Sequence, residues 1–341
     1  MNLPKLTDLQ IENKRVLLRV NYDVPLKNDF EWQVADSSRI DESLATINFL
    51  LQKKAKIILL SHLGRPGGEV NPDLSLKPIV DYLSNKLNKQ IPLAKEFDKL
   101  PDNELVMLEN LRFWFQEEAN DLVFAQNLAK MGDFFINDAF ACSHRSHASI
   151  VGLPQFLPSA IGFDFQKEME ILSKVKDNPQ RPLVIILGGA KKDKLDKLEL
   201  LSEWADFVLI GGKLPEFLGK ENNNDKLKVA VLDYSKQDIN SKSISQFEAI
   251  IKMAKTIIWA GPMGVCKAKE STLATQRLAQ AIVESGASSL IGGGDTEAIL
   301  TKLGLIEKIN NVSSGGGAML EFLAEDSLPG IDAILKGGAN G

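Results

Sequence analysis

The 341-residue sequence predicts an α/β protein made of two doubly wound, parallel-sheet domains joined by a helix. Three observations carry this prediction. Short β-branched runs recur along the chain, longer segments with apolar residues three and four apart separate them, and a charged amphipathic segment divides the series in two. Because the runs are apolar throughout, they are typical of parallel strands covered by helices on both faces.

In the first half, the predicted strands are RVLLRV (15–20), KIILL (56–60), LVMLE (105–109) and FFIND (134–138). In the second half, they are LVIILGG (183–189), DFVLIGG (206–212), VAVL (229–232), TIIWAGP (256–262) and SLIGGG (289–294). Helical periodicity is clear in 37–54 and 272–285. The charged segment 164–182 ends in two prolines and is predicted to be the connecting helix.

Composition excludes several classes of protein. Hydrophobic residues make up 44% and charged residues 25%, which indicates a folded globular chain. A net charge of -5 argues against a nucleic-acid binder. The two cysteines, Cys142 and Cys266, have no paired spacing and predict neither a disulfide framework nor a zinc site. The absence of a signal core or a long apolar stretch predicts a cytoplasmic protein without a membrane partner.

Polar and cationic side chains follow the strands of the first half: Asn21, Asp23, His62, Arg65, Arg112, Asp138, His144, Arg145 and His147, while Arg39 lies at the head of a helix. Ligands of open parallel sheets bind beyond the carboxyl ends of the strands. Guanidinium and imidazolium groups bind carboxylates and phosphates. Any one of these residues alone is more often structural or solvated, but their grouping favours one site for a small, doubly anionic compound.

Glycines occupy the corresponding positions of the second half, in LGGAKKDK, IGGK, AGPMGV, IGGGDT and SSGGGA. Glycines before helix starts let backbone N–H groups approach phosphate oxygens, which predicts a nucleotide site. Neither G-x-x-x-x-G-K-[ST] nor G-x-G-x-x-G occurs. A P-loop enzyme is therefore excluded by motif, and a nicotinamide dehydrogenase, which NADH binding would reveal, is disfavoured.

Eight segments together resemble the phosphoglycerate kinase family, in family order from about residue 14 to 330: KRVLLRVNYDVPLK, SHLGRP, LENLRF, INDAFACSHRSHAS, LGGAKKDK, WAGPMGV, IGGGDT and VSSGGGAMLEFL. The resemblance implies an N-terminal phosphoglycerate-binding domain (1–162), an interdomain helix (163–178) and a C-terminal nucleotide-binding domain (179–323). A cleft would separate the domains, and the segment from about 324 to 341 would pack back on the first.

The resemblance also implies a reaction, namely reversible phosphoryl transfer from 1,3-bisphosphoglycerate to ADP, giving 3-phosphoglycerate and ATP, with Mg²⁺. Transfer would be in line and accompanied by hinge closure, in a monomer whose partners are small-molecule substrates only. In the reverse direction the attacking group is a carboxylate, which is ionised near neutral pH. No general base is then required, and catalysis needs positioning and neutralisation of charge.

Site residues are carried over by position. Those implied for the phosphoglycerate are Asn21, Asp23, Arg39, His62, Arg65, Arg112 and Arg145. Those implied for the nucleotide are Gly189, Ala190, Lys191, Lys194, Gly211, Gly212, Gly264, Val265, Lys267, Gly292, Gly293, Gly294, Asp295 and Thr296, with Asp295 as the Mg²⁺ ligand. Those expected to act in the transfer itself are Arg39, Lys191, Gly316 and Gly317.

The sequence departs from the family pattern at several positions. Asn21 and Asp23 reverse the usual Asp and Asn, Ala260 replaces an asparagine, and Lys267 replaces the glutamate that accepts from the ribose. An ammonium group cannot accept a hydrogen bond. The chain is also short between Gly219 and Asp233. A second hypothesis is therefore a catalytically weak relative that binds phosphoglycerate or a partner, although the retained Arg39 and Lys191 favour the enzyme.

Overall fold

The computed structural model describes residues 3–28, 30–97, 99–218, 224–265 and 273–337. The chain forms two compact units, 1–169 with 327–341 (unit 1) and 170–326 (unit 2). Each unit contains one six-stranded sheet whose strands are all parallel, which confirms the predicted fold class. Within the described ranges, no helix has both the length and the apolar character needed to cross a membrane.

Unit 1 begins with the central strand of its sheet. Its elements are β1 (Arg15–Val20), β2 (Leu26–Asn28), β3 (Trp32–Val34), α1 (Ser38–Glu42), α2 (Leu44–Gln52), β4 (Lys56–Leu60), α3 (Lys77–Leu87), β5 (Leu93–Ala94), β6 (Leu105–Leu108), α4 (Phe115–Glu118), α5 (Leu122–Ala129), β7 (Phe134–Asp138) and β8 (Ser159–Ile161). The sheet order is β5-β6-β4-β1-β7-β8, and β2 and β3 form a separate antiparallel pair.

Strand β1 shows why the sheet is buried on both faces. Leu18 packs in one apolar cluster together with side chains of α2 and α3, whereas its neighbour Leu17 packs in another with side chains of α5. Successive side chains of a strand point to opposite faces, so an apolar run can supply both cores. The next residue, Arg19, is also fully buried.

The connecting helix α6 (Phe163–Asp177) begins in unit 1 and ends in unit 2. Its first turn is bound by Asp138 at the end of β7, whose Oδ1 accepts from the N–H of Phe165 at 3.0 Å. A Cβ atom on Gly162 would lie 2.3 Å from the Asp138 carboxyl, so only glycine fits there. Burial raises the pKa of Asp138 to about 6.

Unit 2 repeats the strand–helix alternation. Its elements are β9 (Leu183–Leu187), α7 (Leu198–Trp204), β10 (Phe207–Ile210), β11 (Leu227–Val229), α8 (Ser241–Met253), β12 (Thr256–Ala260), α9 (Leu273–Ser285), β13 (Ser288–Gly292), α10 (Gly294–Lys302), β14 (Asn311–Ser313) and α11 (Gly316–Glu325). The sheet order is β11-β10-β9-β12-β13-β14. The last helix, α12 (Pro329–Gly337), belongs to unit 1, where the N–H of Gly330 donates to the carbonyl of Ser143 at 2.9 Å.

Candidate functional site

The C-terminal edge of the unit 1 sheet carries most of the predicted cationic residues. His62 follows β4, Arg112 follows β6, and Arg145 and His147 follow β7. His62, Arg112 and His147 are buried, with exposed fractions of 4%, 4% and 7%, and Arg145 is half-buried. Arg65, in the loop after β4, is exposed. We call the buried and half-buried members, together with Arg19, the cationic cluster.

Electrostatic effects show that the members of the cluster lie near one another. Burial lowers the pKa of Arg112, and Arg19 and Arg145 lower it further. Burial, followed by Arg19 and Arg112, holds the pKa of His62 well below its ordinary value. The pKa of His147 falls to about 3 for the same reasons, burial first. The expectation of imidazolium groups is therefore wrong, because both rings are neutral at pH 7 and offer one N–H each.

Arg39 and the segment after β1 form one side of this site. The Arg39 Nη1 donates to the carbonyl of Asp23 at 2.6 Å, and the Asp23 Oδ1 accepts from the N–H of Gly64 at 2.9 Å. Asn21 and Asp23 are half-buried on either side of the fully buried Tyr22, as expected for residues two apart on an extended chain. The Asn21 Nδ2 is buried without a hydrogen-bond partner.

Sequence reasoning missed the residues behind the cluster. Glu118 on α4 lies 3.2 Å from Nε of Arg112, and the adjacent Glu117 is fully buried against Ser149. Arg19 donates to the Ser149 Oγ at 2.9 Å. A signal for Arg19 was present, since it is an arginine inside the otherwise apolar run of a central strand. Nothing in the sequence singled out the two glutamates.

The glycine loops of unit 2 pack backbone against backbone. The N–H groups of three predicted glycines are already paired: Gly189 with the carbonyl of Pro262 at 2.7 Å, Gly211 with Leu187 at 2.9 Å and Gly212 with Met263 at 2.9 Å. These glycines therefore allow the loops after β9, β10 and β12 to approach one another. Their contact with a nucleotide, and that of the exposed Ala190, stays a prediction, which must use atoms other than these three N–H groups.

The two predicted lysines differ in environment. The Lys194 Nζ donates to the carbonyls of Gly188 at 2.8 Å and Ala260 at 3.1 Å. Burial lowers the pKa of Lys194 to about 8, and the nearby Asp295 opposes that shift. The carbonyl bonds hold this ammonium at the ends of β9 and β12. Lys191 is exposed and flanks the following 3-10 turn.

Two helix N-termini meet at the ends of β13 and β14. A Cβ atom on Gly316, the first residue of α11, would lie 2.8 Å from the carbonyl oxygen of Gly292 and 3.1 Å from the Cα of Gly293. Gly293 immediately precedes α10, which begins at Gly294, and Gly317 lies in the first turn of α11. The first N–H groups of a helix have no partner within the helix and attract anions. The two starts therefore form a paired site of backbone donors.

Asp295 and Thr296 lie in the first turn of α10. Asp295 is exposed, whereas Thr296 is fully buried and its Oγ1 accepts from the N–H of Gly261 at 2.9 Å. Within the described ranges, no group of three or more His, Cys, Asp or Glu residues could hold a metal ion. A single exposed carboxylate fits Mg²⁺ that is bound mainly by substrate phosphates and water.

Val265 and Gly264 follow the β12 loop. Val265 is half-buried, and its N–H donates to the carbonyl of Gln237 at 2.7 Å, whereas Gly264 is buried. Lys267 and Cys266 lie outside the described residues. The predicted contacts of this segment with a ribose stay predictions.

A family model described as "Phosphoglycerate kinase" matches residues 6–227 and 217–326. The phosphoglycerate kinase of Finegoldia magna is 38% identical, with 98% of this chain and 99% of the relative covered, and that of Thermosipho africanus is 37% identical with 98% of each. The phosphoglycerate kinase structure from Pyrococcus horikoshii superposes with a TM-score of 0.82 at 28% identity, covering 99% of this chain and 100% of the other. The phosphoglycerate kinase structure from Coxiella burnetii superposes with a TM-score of 0.78 at 30% sequence identity, covering 98% of this chain and 99% of the other.

The relatives are longer than this chain. The alignment with the Finegoldia magna protein has 395 positions, so 98% of a 341-residue chain leaves about 60 positions without a counterpart here. The two matched parts of the family model overlap over 217–227, which follows β10 and ends at the first residue of β11. Because the relatives are similar over nearly their whole length and the family model spans both units, the chain belongs to the phosphoglycerate kinase family.

Proposed function

We propose that this protein catalyses the reversible transfer of a phosphoryl group from 1,3-bisphosphoglycerate to ADP, giving 3-phosphoglycerate and ATP, in glycolysis. The observation that carries the proposal is the cationic cluster at the C-terminal edge of the unit 1 sheet, in a member of the phosphoglycerate kinase family. The cluster presents guanidinium and neutral imidazole donors, which suits a ligand with a carboxyl group and a phosphate.

Unit 1 holds the phosphoglycerate in this proposal. Arg112, Arg145 and Arg65 bind its anionic groups, and the neutral His62 adds an N–H donor. The unpaired Asn21 Nδ2 supplies a further donor. Arg112 and His62 are set by buried contacts before the substrate arrives, which reduces the loss of side-chain freedom on binding.

Unit 2 holds the nucleotide. The paired starts of α10 and α11 bind phosphate oxygens through backbone N–H groups, and Asp295 holds Mg²⁺ that comes with the nucleotide. The metal, when bound, neutralises charge on the phosphates. Gly189, Gly211, Gly212 and Val265 shape the remaining nucleotide surface.

The transfer itself requires charge neutralisation and in-line positioning rather than proton transfer. The attacking carboxylate is already ionised, so no general base is needed. Arg39 from unit 1 and Lys191 from unit 2 neutralise the transferring group, and the N–H groups of Gly316 and Gly317 add donors.

Closure about α6 on binding both substrates, a monomeric state and a cytoplasmic location complete the proposal. A decrease in the radius of gyration by small-angle scattering, seen only with both substrates, tests closure. Sedimentation velocity tests the monomer. Fractionation of the source cells tests the location.

A coupled assay with 1,3-bisphosphoglycerate and ADP tests the activity, with GDP compared to resolve nucleotide preference. Lys191→Ala should lower kcat by about 10²-fold or more, because it removes a cation from the transferring group. Lys192→Ala, at an exposed lysine in the same turn, is the matched control and should keep kcat within about two-fold. Binding of 3-phosphoglycerate without turnover of any nucleotide would contradict the proposal.

A further inference from the structure

Arg19 is a fully buried cation at the centre of unit 1, on β1 between β4 and β7. Its Nε donates to the Ser149 Oγ at 2.9 Å, its Nη1 to the carbonyl of Val20, and its Nη2 lies 2.9 Å from the Nδ1 of His62. Burying a guanidinium is unfavourable unless its donors are satisfied. Here the side chain is directed at one ring nitrogen of a residue in the cationic cluster.

The contact between Arg19 and His62 determines where the imidazole proton lies. A guanidinium has five N–H donors and no acceptor, so the Nδ1 of His62 must accept. The ring hydrogen is then on Nε2, which lies 4.0 Å from the Asp23 Oδ2 on the ligand side of the cluster. Protonation of both ring nitrogens would place an N–H against an N–H.

The other end of the Arg19 side chain is fixed by a buried carboxylate. The Ser149 Oγ accepts from Arg19 and donates to the Glu117 Oε1 at 2.5 Å, while the Ser149 N–H donates to the Glu117 Oε2 at 2.9 Å. Glu117 and Ser149 have no exposed surface. Glu117 thus supplies a counter-charge to Arg19 from the side away from His62.

We propose that Arg19 is a positioning residue for phosphoglycerate binding: it fixes His62 as the neutral Nε2–H tautomer, so that the ring gives the ligand a hydrogen-bond donor at any physiological pH. The role in binding rests on the proposed function, whereas the tautomer does not. The charged and titratable groups that face His62 are Arg19 and Asp23 from β1 and its end, Arg112 from the end of β6, and Arg145 and His147 from the end of β7.

Nitrogen-15 NMR of the imidazole rings tests the tautomer directly. The chain has three histidines, so long-range ¹H–¹⁵N correlations of ¹⁵N-histidine-labelled protein give three ring patterns, and His62→Gln identifies one of them. At pH 7 the wild-type His62 should show a non-protonated Nδ1 and a protonated Nε2. Arg19→Met should convert the ring to a mixture of tautomers and raise its pKa toward the ordinary value of about 6.5.

Two further variants separate the effect of the Arg19–His62 contact from a general loss of packing in the buried network. Arg19→Lys keeps a donor-only cation and should retain the Nε2–H pattern. Glu117→Gln disturbs the far end of the same buried network and leaves the Arg19 contact with His62 in place, so it should retain the pattern too. Conversion of the tautomer in Glu117→Gln to the same degree as in Arg19→Met would overturn the inference.

Kinetics supply the functional measurement. In Arg19→Met, loss of the Arg19 charge and of the fixed tautomer together should raise the KM for 3-phosphoglycerate about ten-fold at pH 8, and less at pH 6, where the freed ring becomes a protonated donor. The KM for ATP and kcat should change by less than about two-fold. The substrate phosphate titrates equally with both proteins, so its titration cancels in the ratio of variant to wild type, and the pH dependence of that ratio reports the protonation of His62.

The two proposals fail in distinguishable ways. If the protein has no phosphoglycerate kinase activity, the wild-type ring pattern still decides the tautomer. If activity is present and wild-type His62 shows a protonated Nδ1 at pH 7, this inference is wrong while the proposed function stands. The wild-type spectrum decides even if Arg19→Met does not fold.

Discussion

The two units have the same sheet architecture and build their candidate sites from opposite materials. In unit 1, the strand ends carry arginine and histidine side chains, most of them buried, and carboxylates lie behind Arg112 directly and behind Arg19 through Ser149. In unit 2, the strand ends carry glycines whose backbones touch one another and whose neighbouring helices begin side by side. A side-chain site depends on a supporting layer of counter-charges, whereas a backbone site depends on the absence of Cβ atoms.

This difference bears on which changes unit 2 can accommodate at positions other than its glycines. Donors supplied by backbone N–H groups do not depend on the identity of the side chain. Of the expected departures from the family pattern, Ala260 and Lys267 fall in unit 2, as does the overlap of the two matched parts of the family model, whereas Asn21 and Asp23 lie in unit 1. Ala260 is fully buried and contributes its carbonyl to Lys194, an interaction that any residue of suitable size can make.

A glycine substitution in unit 2 should have the largest effect. Gly261 has φ +95°, and a Cβ there would lie 2.4 Å from the carbonyl oxygen of Gly188. Gly261→Ala should lower the free energy of unfolding by about 3 kcal/mol and raise the KM for ATP, because both loops must shift. Chemical denaturation and the coupled assay measure this.

Gly286→Ala is the matched control. Gly286 also has a left-handed φ, +66°, but nothing lies within 4 Å of its Cβ position. Its substitution should cost about 1 kcal/mol from backbone strain alone. If the free energy of unfolding fell equally in the two variants, close packing of the loops would not be what unit 2 requires.

Loss of an arginine tests the side-chain site of unit 1. Arg145→Ala and Arg65→Ala should each raise the KM for 3-phosphoglycerate, by about 10²-fold for the half-buried Arg145 and about 10-fold for the exposed Arg65. The KM for ATP should stay within about two-fold, since each unit holds its own ligand. Substrate titrations at fixed ionic strength give both constants.

Arg15→Ala is the control for charge alone. The Arg15 side chain is exposed and lies 3.8 Å from Asp133, so its loss should leave both KM values nearly unchanged. Wild-type kinetics in Arg145→Ala and Arg65→Ala together would refute the side-chain site.

The sequence predicted eight of the strands in place because each is a run of apolar, β-branched residues, as in Leu183–Leu187, whereas the strand predicted at 229–232 shares only Val229 with β11 (Leu227–Val229). It missed β5, β8 and β14, which have two or three residues each, too few for a period to show. It also missed the hairpin of β2 and β3, whose residues are mostly exposed and polar. Such strands form because a neighbouring strand offers its edge, and no local pattern encodes that.

For the candidate site, the sequence predicted residue types at strand ends but not their state. The neutrality of His62 and His147 arises from burial among arginines distant in sequence. Glu117 lies 98 residues after Arg19, and only the fold brings them to the same serine. Spacing therefore identifies a ligand-facing residue, whereas its protonation depends on tertiary packing.

A smaller effect is expected at the start of α6, where the stability of the fold should depend on pH through Asp164. Burial, followed by Glu42, Asp138 and Glu168, raises the pKa of Asp164 to about 8. The protonated carboxyl stabilises the fold below pH 3.8, and this contribution is lost as pH rises through about 8. The side chain in Asp164→Asn cannot ionise. The free energy of unfolding of this variant should therefore exceed that of the wild type by about 2 kcal/mol at pH 9 and equal it near pH 4. Urea unfolding across this range measures the difference, and a gap that does not widen with pH would show that Asp164 is already ionised in the fold.

The smallest expected effect is at Asn21, which tests whether a side chain of unit 1 serves the ligand or the fold. A buried amide without a partner destabilises the free protein, and the ligand would supply the missing acceptor. Asn21→Ala should therefore leave the free energy of unfolding unchanged or raise it by up to about 0.5 kcal/mol, while raising the Kd for 3-phosphoglycerate about five-fold. Calorimetric titration and thermal unfolding on the same samples give both quantities. A variant that lost stability and binding together would place Asn21 among the supporting contacts of unit 1, since a donor reserved for a ligand contributes only when the ligand is bound.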